Sequence, residues 1–155
     1  GRLHGVARAE TGGENDLLDH EIAYIQLRDR DPRHIVALMA QDALTIPARV
    51  EDGRIERAAQ AGPVFSVDAA GFLHMRYTAR AVSIEWKSDA ATQAALAALE
   101  DILGTASPWV FRGRLEPGMG LLGNNVLHTR TPFTDSPGQR RLIYRARYYQ
   151  RVSAG

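Results

Sequence analysis

Beyond Gly104 the chain offers the backbone little but strand. Trp109 to Leu115, Gly120 to His128 and Arg140 to Val152 are rich in apolar, aromatic and alternating residues. Pro117-Gly118 and Ser136-Pro137-Gly138, which are turn formers, separate them. Everything helical must therefore lie upstream. Helices early, one long helix late and a terminal run of strands predict an α+β chain with an antiparallel sheet core.

The upstream pattern divides readily. Residues 3 to 9 read as a short strand, and Glu10-Thr11-Gly12-Gly13-Glu14 as a turn. Asn15 or Asp16 is expected to cap a helix running to about Leu27, with Leu18, Ile22 and Ile25 on one stripe. Asp31-Pro32 places an acceptor at the N-cap and proline at the first helical position, and Ile35, Leu38 and Met39 form the buried face that follows. Residues 43 to 62 are polar with little periodicity and read as loops with an edge strand. Pro63 to Val67 and Phe72 to Tyr77 flank Asp68-Ala69-Ala70-Gly71 and predict a hairpin. A helix is expected over 89 to 103, capped by Ser88 or Asp89 and stopped by Gly104, with Leu96, Leu99 and Leu103 on its buried face.

Composition narrows the function classes. The 155 residues suffice for one domain with its own core. The absence of cysteine excludes disulfides, thiolate metal sites and a thiol nucleophile, and fits a cytoplasmic protein. A formal charge of +1 gives no field toward nucleic acid or membrane. No apolar run approaches the ~20 residues of a membrane span, and no secretory signal opens the chain. The expected partner is a small-molecule substrate; monomer and homo-oligomer are both open.

The chemistry gathers near the end. Asn124-Asn125-Val126-Leu127-His128-Thr129-Arg130-Thr131-Pro132-Phe133 leads through a turn into Arg140-Arg141-Leu142-Ile143-Tyr144-Arg145. Alternation puts Arg141, Ile143 and Arg145 on one face and Leu142, Tyr144, Ala146 and Tyr148 on the other. Apolar residues on both faces predict a strand covered on both sides. Arginines on a covered face need an anion, and a guanidinium grips a carboxylate bidentately. His128 ends an apolar run and is a candidate metal ligand. A structural histidine and a solvated or salt-bridged arginine pair are the bland alternatives to each signal alone. Together they are an arrangement that sets a metal beside a dicarboxylate.

These segments resemble the closing motif of the taurine dioxygenase-like oxygenases: an asparagine-led run to a histidine, then an Arg-Arg-x-x-x-Arg strand. Gly12-Gly13-Glu14-Asn15 is similar to that family's Gly-Gly-(Asp/Glu)-Thr turn. The resemblance implies a double-stranded β-helix (jelly-roll) core with flanking helices. It also implies an Fe(II)/2-oxoglutarate-dependent dioxygenase that hydroxylates a small organic substrate while decarboxylating its cosubstrate to succinate. On that footing His128 is the distal histidine of a two-histidine, one-carboxylate iron site. Arg141 pairs with the C5 carboxylate of 2-oxoglutarate, and Arg145 lies near the C1 carboxylate or a substrate anion. Asn15 stands where the family has a threonine that helps hold C5, and its amide can donate the same bond.

One departure matters. The family's other two ligands come from a His-x-Asp or His-x-Glu pair upstream of the Gly-Gly turn, and none is present here: His4, His20, His34 and His74 are followed two residues on by Val6, Ile22, Val36 and Arg76. The expectation is a single catalytic domain, 1–155, that begins downstream of the motif. A non-catalytic jelly-roll binding module is the alternative, and a cupin-type hydrolase or isomerase a third. Asp19-His20-Glu21 is expected to be a solvated helix face, Arg76 and Arg80 salt-bridge partners or substrate-pocket residues, Trp86 and Trp109 core. Phe133 is open between core packing and the border of the iron pocket.

Overall fold

The computed structural model describes residues 1–79, 84–148 and 151–152. The chain opens with β1 (Arg2–Ala7), β2 (Thr11–Gly12) and β3 (Asn15–Leu18), then α1 (His20–Arg30) and α2 (Pro32–Leu38). Short strands follow: β4 (Leu44–Ile46), β5 (Arg49–Glu51), β6 (Arg54–Arg57), β7 (Gln60–Gly62), β8 (Phe65–Val67), β9 (Leu73–Met75) and β10 (Glu85–Trp86). After α3 (Ala90–Gly104) come β11 (Phe111–Gly113), β12 (Gly120–Leu122), β13 (Leu127–Arg130), β14 (Phe133–Thr134) and β15 (Leu142–Ala146). Two compact units result: His20–Ala106, and Gly1–Asp19 with the described residues from Ser107 on. No helix among the described residues is long and apolar enough to cross a membrane.

The His20–Ala106 unit buries a helical core. Leu27 of α1, Leu38 of α2 and Leu99 of α3 are fully buried, each contributing roughly 1.5–3 kcal/mol of transfer free energy. Asp31 caps α2 by accepting from the Arg33 N–H at 2.9 Å, with Pro32 first in the helix. The hairpin expected from 63–67 and 72–77 is present as Phe65–Val67 paired with Leu73–Met75, its turn held by Asp68 Oδ1, which accepts from the Ala70 and Phe72 N–H groups. Residues 43 to 62 hold four short strands where loops and an edge strand were expected. In α3 the buried residues are Thr92, Ala95, Leu99 and Ile102, so Leu96 and Leu103 flank the stripe and Gly104 is the helix's last residue.

Asp89 caps α3, its carboxylate accepting from the Thr92 N–H at 2.8 Å. That bond, offset in part by desolvation and helped by Lys87, holds its carboxyl below the ordinary 3.8. A depressed carboxylate stabilises fully above its unfolded value and is lost as pH falls through the lowered one. Asp89→Ala is therefore expected to lower the melting temperature by a few degrees at neutral pH. The gap should close in strong acid; a gap constant from neutral pH to pH 2 contradicts the cap.

The other unit is built from strands. β1 lies between β12 and β15, and β3 between β11 and β13, all antiparallel; β2 pairs with β14. Asn15–Leu18 is thus a strand, not the first turn of a helix, because both its edges are filled: Leu17 faces Phe111 on one side and His128 on the other. The helix starts at His20 and buries His20, Ala23 and Leu27 rather than Ile22 and Ile25. Coverage of β15 on both faces does not occur: Leu142 is 43% and Tyr144 63% exposed. Alternation places a side chain on a face but cannot say whether another layer lies over that face. Trp109, 60% exposed, is likewise not core, and Tyr149, at the end of the expected last strand, is outside the described residues.

Candidate functional site

The site begins at the Gly12-Gly13 turn, where both glycines have positive φ, 72° and 81°. A Cβ on Gly12 would sit 2.1 Å from the Pro132 carbonyl oxygen, so only glycine lets the two chains meet there. The Gly13 N–H donates to Thr131 Oγ1 at 3.1 Å and to the Pro132 oxygen at 3.2 Å. Thr131 in turn donates its hydroxyl to the Glu14 carboxylate at 2.7 Å. That hydroxyl, then the residue's own N–H, hold the Glu14 carboxyl below its ordinary range against desolvation, with Arg114 and Arg112 adding to them.

β3 carries the turn into the sheet. Asn15 lies opposite Arg130, and Leu17 opposite His128. Directly opposed residues, and residues two apart on a strand, share a face, so Asn15, Arg130 and His128 project to the same side. Asn15 is buried, and its Nδ2 donates to the Gly13 carbonyl at 3.3 Å, which leaves its second N–H unassigned. His128 is exposed, with Nδ1 3.3 Å from the Val126 carbonyl. With the proton on Nδ1, Nε2 presents its lone pair outward, the tautomer that metal ligation requires.

Arg141 arrives from the residue before β15. Its guanidinium carbon is 5.1 Å from the centre of the Phe133 ring, and that of Arg130 is 4.6 Å from the same centre. Gly13 leaves open the place a Cβ would fill, 3.5 Å from Arg141 Nε and 3.7 Å from Phe133 Cβ. Among the described residues no carboxylate lies within ion-pair distance of either guanidinium. Desolvation first, and then the Arg130 charge, push Arg141 below the ordinary arginine range; Asp135 opposes them.

The donor set fits one implied group and not the other. A half-buried guanidinium without a carboxylate, beside a glycine gap and a buried amide, suits the end of a dicarboxylate such as 2-oxoglutarate. Iron is different: among the described residues no three His, Asp or Glu side chains come together to hold a metal ion. His128 is one candidate ligand.

The structure brings Asn15 and Arg141 to one turn and sets His128 on the Asn15 face. Arg145 is not in that cluster; it is exposed, opposite Leu3, with no hydrogen bond or ion pair among the described residues. Arg76 makes no salt bridge among the described residues; it donates to the Leu44 and Gln60 carbonyls at 3.0 and 3.3 Å. Arg80 lies outside the described residues. His20 is not on a solvated face; it is buried with Nε2 2.8 Å from the Leu73 carbonyl. The sequence reading missed Arg130 and Thr131. Arg130 was accessible to it, being two residues beyond His128 and so on the same strand face.

Residues 2–147 match the family model described as taurine catabolism dioxygenase TauD, TfdA family. The chain belongs to this family. A uridine-5'-phosphate dioxygenase of Amycolatopsis sp. is 32% identical over 151 residues, 94% of this chain and 54% of that protein. The chain thus spans about half the length of the curated relative it matches. Among solved structures, an asparagine oxygenase in complex with Fe(II), 2S,3S-3-hydroxyasparagine and succinate has a TM-score of 0.60 at 19% identity, over 92% of this chain and 43% of that one. The non-heme iron oxygenase OrfP in complex with Fe has a TM-score of 0.62 at 15% identity, over the same shares. At these identities the likeness is one of fold, a mixed arrangement of helices and strands.

Proposed function

We propose that this chain carries the cosubstrate side of an Fe(II)/2-oxoglutarate-dependent dioxygenase, built on a double-stranded β-helix core and hydroxylating a small organic substrate. The observation that carries the reading is Arg141: a half-buried guanidinium over Phe133, beside Gly13, with no carboxylate at ion-pair distance among the described residues. In this reading Arg141 grips the C5 carboxylate with two parallel N–H bonds. The second N–H of the Asn15 amide donates to the same carboxylate. Arg145, four residues on, is assigned to the C1 carboxylate or a substrate anion. His128 supplies one iron ligand through Nε2, and two further ligands come from outside the described residues. Iron held by His128 and ligands beyond the described residues would supply the oxygen chemistry of the reaction. The relative named for uridine-5'-phosphate makes a nucleotide the first substrate to try. The cysteine-free composition supports a cytoplasmic setting.

The test uses the full-length protein. With Fe(II), ascorbate and oxygen it is expected to convert 2-oxoglutarate to succinate, slowly without substrate and faster with it. Added anaerobically at a hundredfold excess over Kd, 2-oxoglutarate should stabilise the fold by ~2.7 kcal/mol. Stabilisation without succinate favours a non-catalytic binding module, the reading that the missing three-ligand group supports. The absence of both stabilisation and succinate overturns the assignment.

A further inference from the structure

The cluster around Arg141 holds a second cation and an aromatic ring to which no role has been given. Arg130, Phe133 and Arg141 come from β13, β14 and the residue preceding β15, and their side chains converge on one ring. The Arg130 charge acts against that of Arg141, so the two guanidiniums repel each other. A fold that needed only stability would set a carboxylate between them, and the nearby carboxylates are engaged otherwise. Asp135 accepts from the Arg141 backbone N–H at 2.9 Å, and Glu14 accepts from Thr131.

An aromatic face solves a problem that a carboxylate cannot. It attracts and orients a guanidinium through its quadrupole, yet leaves the N–H donors unfilled. A carboxylate partner would fix the same head group and occupy the donors the ligand needs. Phe133 therefore restrains both arginines without consuming their hydrogen-bonding capacity. Its backbone is anchored by pairing with Gly12, the position where no side chain fits.

We propose that Phe133 is the positioning residue of the anion site and that Arg130 is its second cation, so that one carboxylate end of the cosubstrate is bound by a two-arginine clamp assembled on a single ring. The proposal rests on the cosubstrate reading above and deepens it. Arg130 shares the His128 face, so the clamp extends from the Arg141 side of the pocket toward the metal side.

The experiment is calorimetric titration of the full-length protein with 2-oxoglutarate, anaerobically and with Fe(II). Phe133→Leu and Arg130→Gln are each expected to raise Kd about tenfold, and Phe133→Tyr, which keeps the ring, to recover most of the loss. Arg130→Gln should also flatten the salt dependence of binding, because one cation has left the site. In turnover, Phe133→Leu should raise KM for 2-oxoglutarate more than it lowers kcat, a split that general loosening of the fold does not produce. Should Phe133→Leu fail to fold, Arg130→Gln at its exposed position decides alone. Affinity within about twofold of wild type in the folded variants, where tenfold separates a real contact from none, overturns the clamp if Arg141→Ala still abolishes binding. If Arg141→Ala binds normally as well, the cosubstrate reading itself has failed.

Discussion

Arg141→Ala is expected to weaken 2-oxoglutarate binding by the full-length protein roughly a hundredfold, about 3 kcal/mol. The figure follows from what the side chain does with no ligand present. It is half-buried, lies over the Phe133 ring and shares that ring with Arg130, so it enters binding partly desolvated and already oriented. A carboxylate arriving there relieves repulsion as well as forming bonds. Arg141→Lys should restore little, since an ammonium is a point charge that neither stacks flat on the ring nor offers a fork. His128→Ala gives the complementary result: Fe(II) retention is lost, while Asn15, Gly13 and Arg141 keep their places and 2-oxoglutarate still binds weakly. Calorimetry for the cosubstrate and equilibrium dialysis for the metal separate the two. Unchanged cosubstrate affinity in Arg141→Ala removes that residue from the site.

The second large effect is structural. Gly12→Ala places a methyl group 2.1 Å from the Pro132 oxygen, with Phe133 Cα at 3.1 Å, at a backbone φ of 72°. Neither neighbour is the tip of a flexible side chain, so the β2–β14 pairing must open. The expected loss is ~3 kcal/mol or more of folding stability, read by chemical denaturation, with cosubstrate binding lost as well because Phe133 moves. Gly13→Ala is the control. Its φ of 81° is equally unfavourable, but the nearest atom is Arg141 Nε at 3.5 Å, an ordinary contact. It should therefore lose only the ~1–2 kcal/mol of left-handed strain. Equal stabilities for the two variants would mean that the chain approach at Pro132 is softer than its geometry indicates.

The sequence made some of this legible and hid the rest for physical reasons. Asp31-Pro32 and Asp89 were readable because a cap is a local event, settled within one helical turn. Gly12-Gly13, His128 and Arg141 stood out as candidates because each is an uncommon residue at a fixed spacing, and the structure sets Arg141 beside Gly13. The strand at Asn15–Leu18 was not: its partners lie at Phe111–Gly113 and Leu127–Arg130, and no local propensity reports pairing at that distance. Its capping residues and Leu18 suit a helix start equally well. The exposure of Leu142 and Tyr144 was hidden for a related reason, since burial depends on a second layer that the strand's own residues do not encode. The role of Phe133 was left open because an aromatic beside a histidine reads the same whether it packs in a core or carries two cations.

The pairing of β3 also sets a timetable. Its neighbours on both edges are encoded after the whole of His20–Ala106, so on a ribosome adding roughly 5–20 residues per second the nascent Asn15–Leu18 segment waits several seconds for β11 and longer for β13. Arg141 emerges later still. Once Ala106 has emerged the helical unit can fold, while the Gly-Gly turn has nothing to close against until β14 follows. The cluster of Gly13, Phe133 and Arg141 is thus among the last features to form during translation. A stalled or prematurely terminated nascent chain would present a finished helical unit joined to bare strand edges, the kind of surface on which chaperones and proteases act.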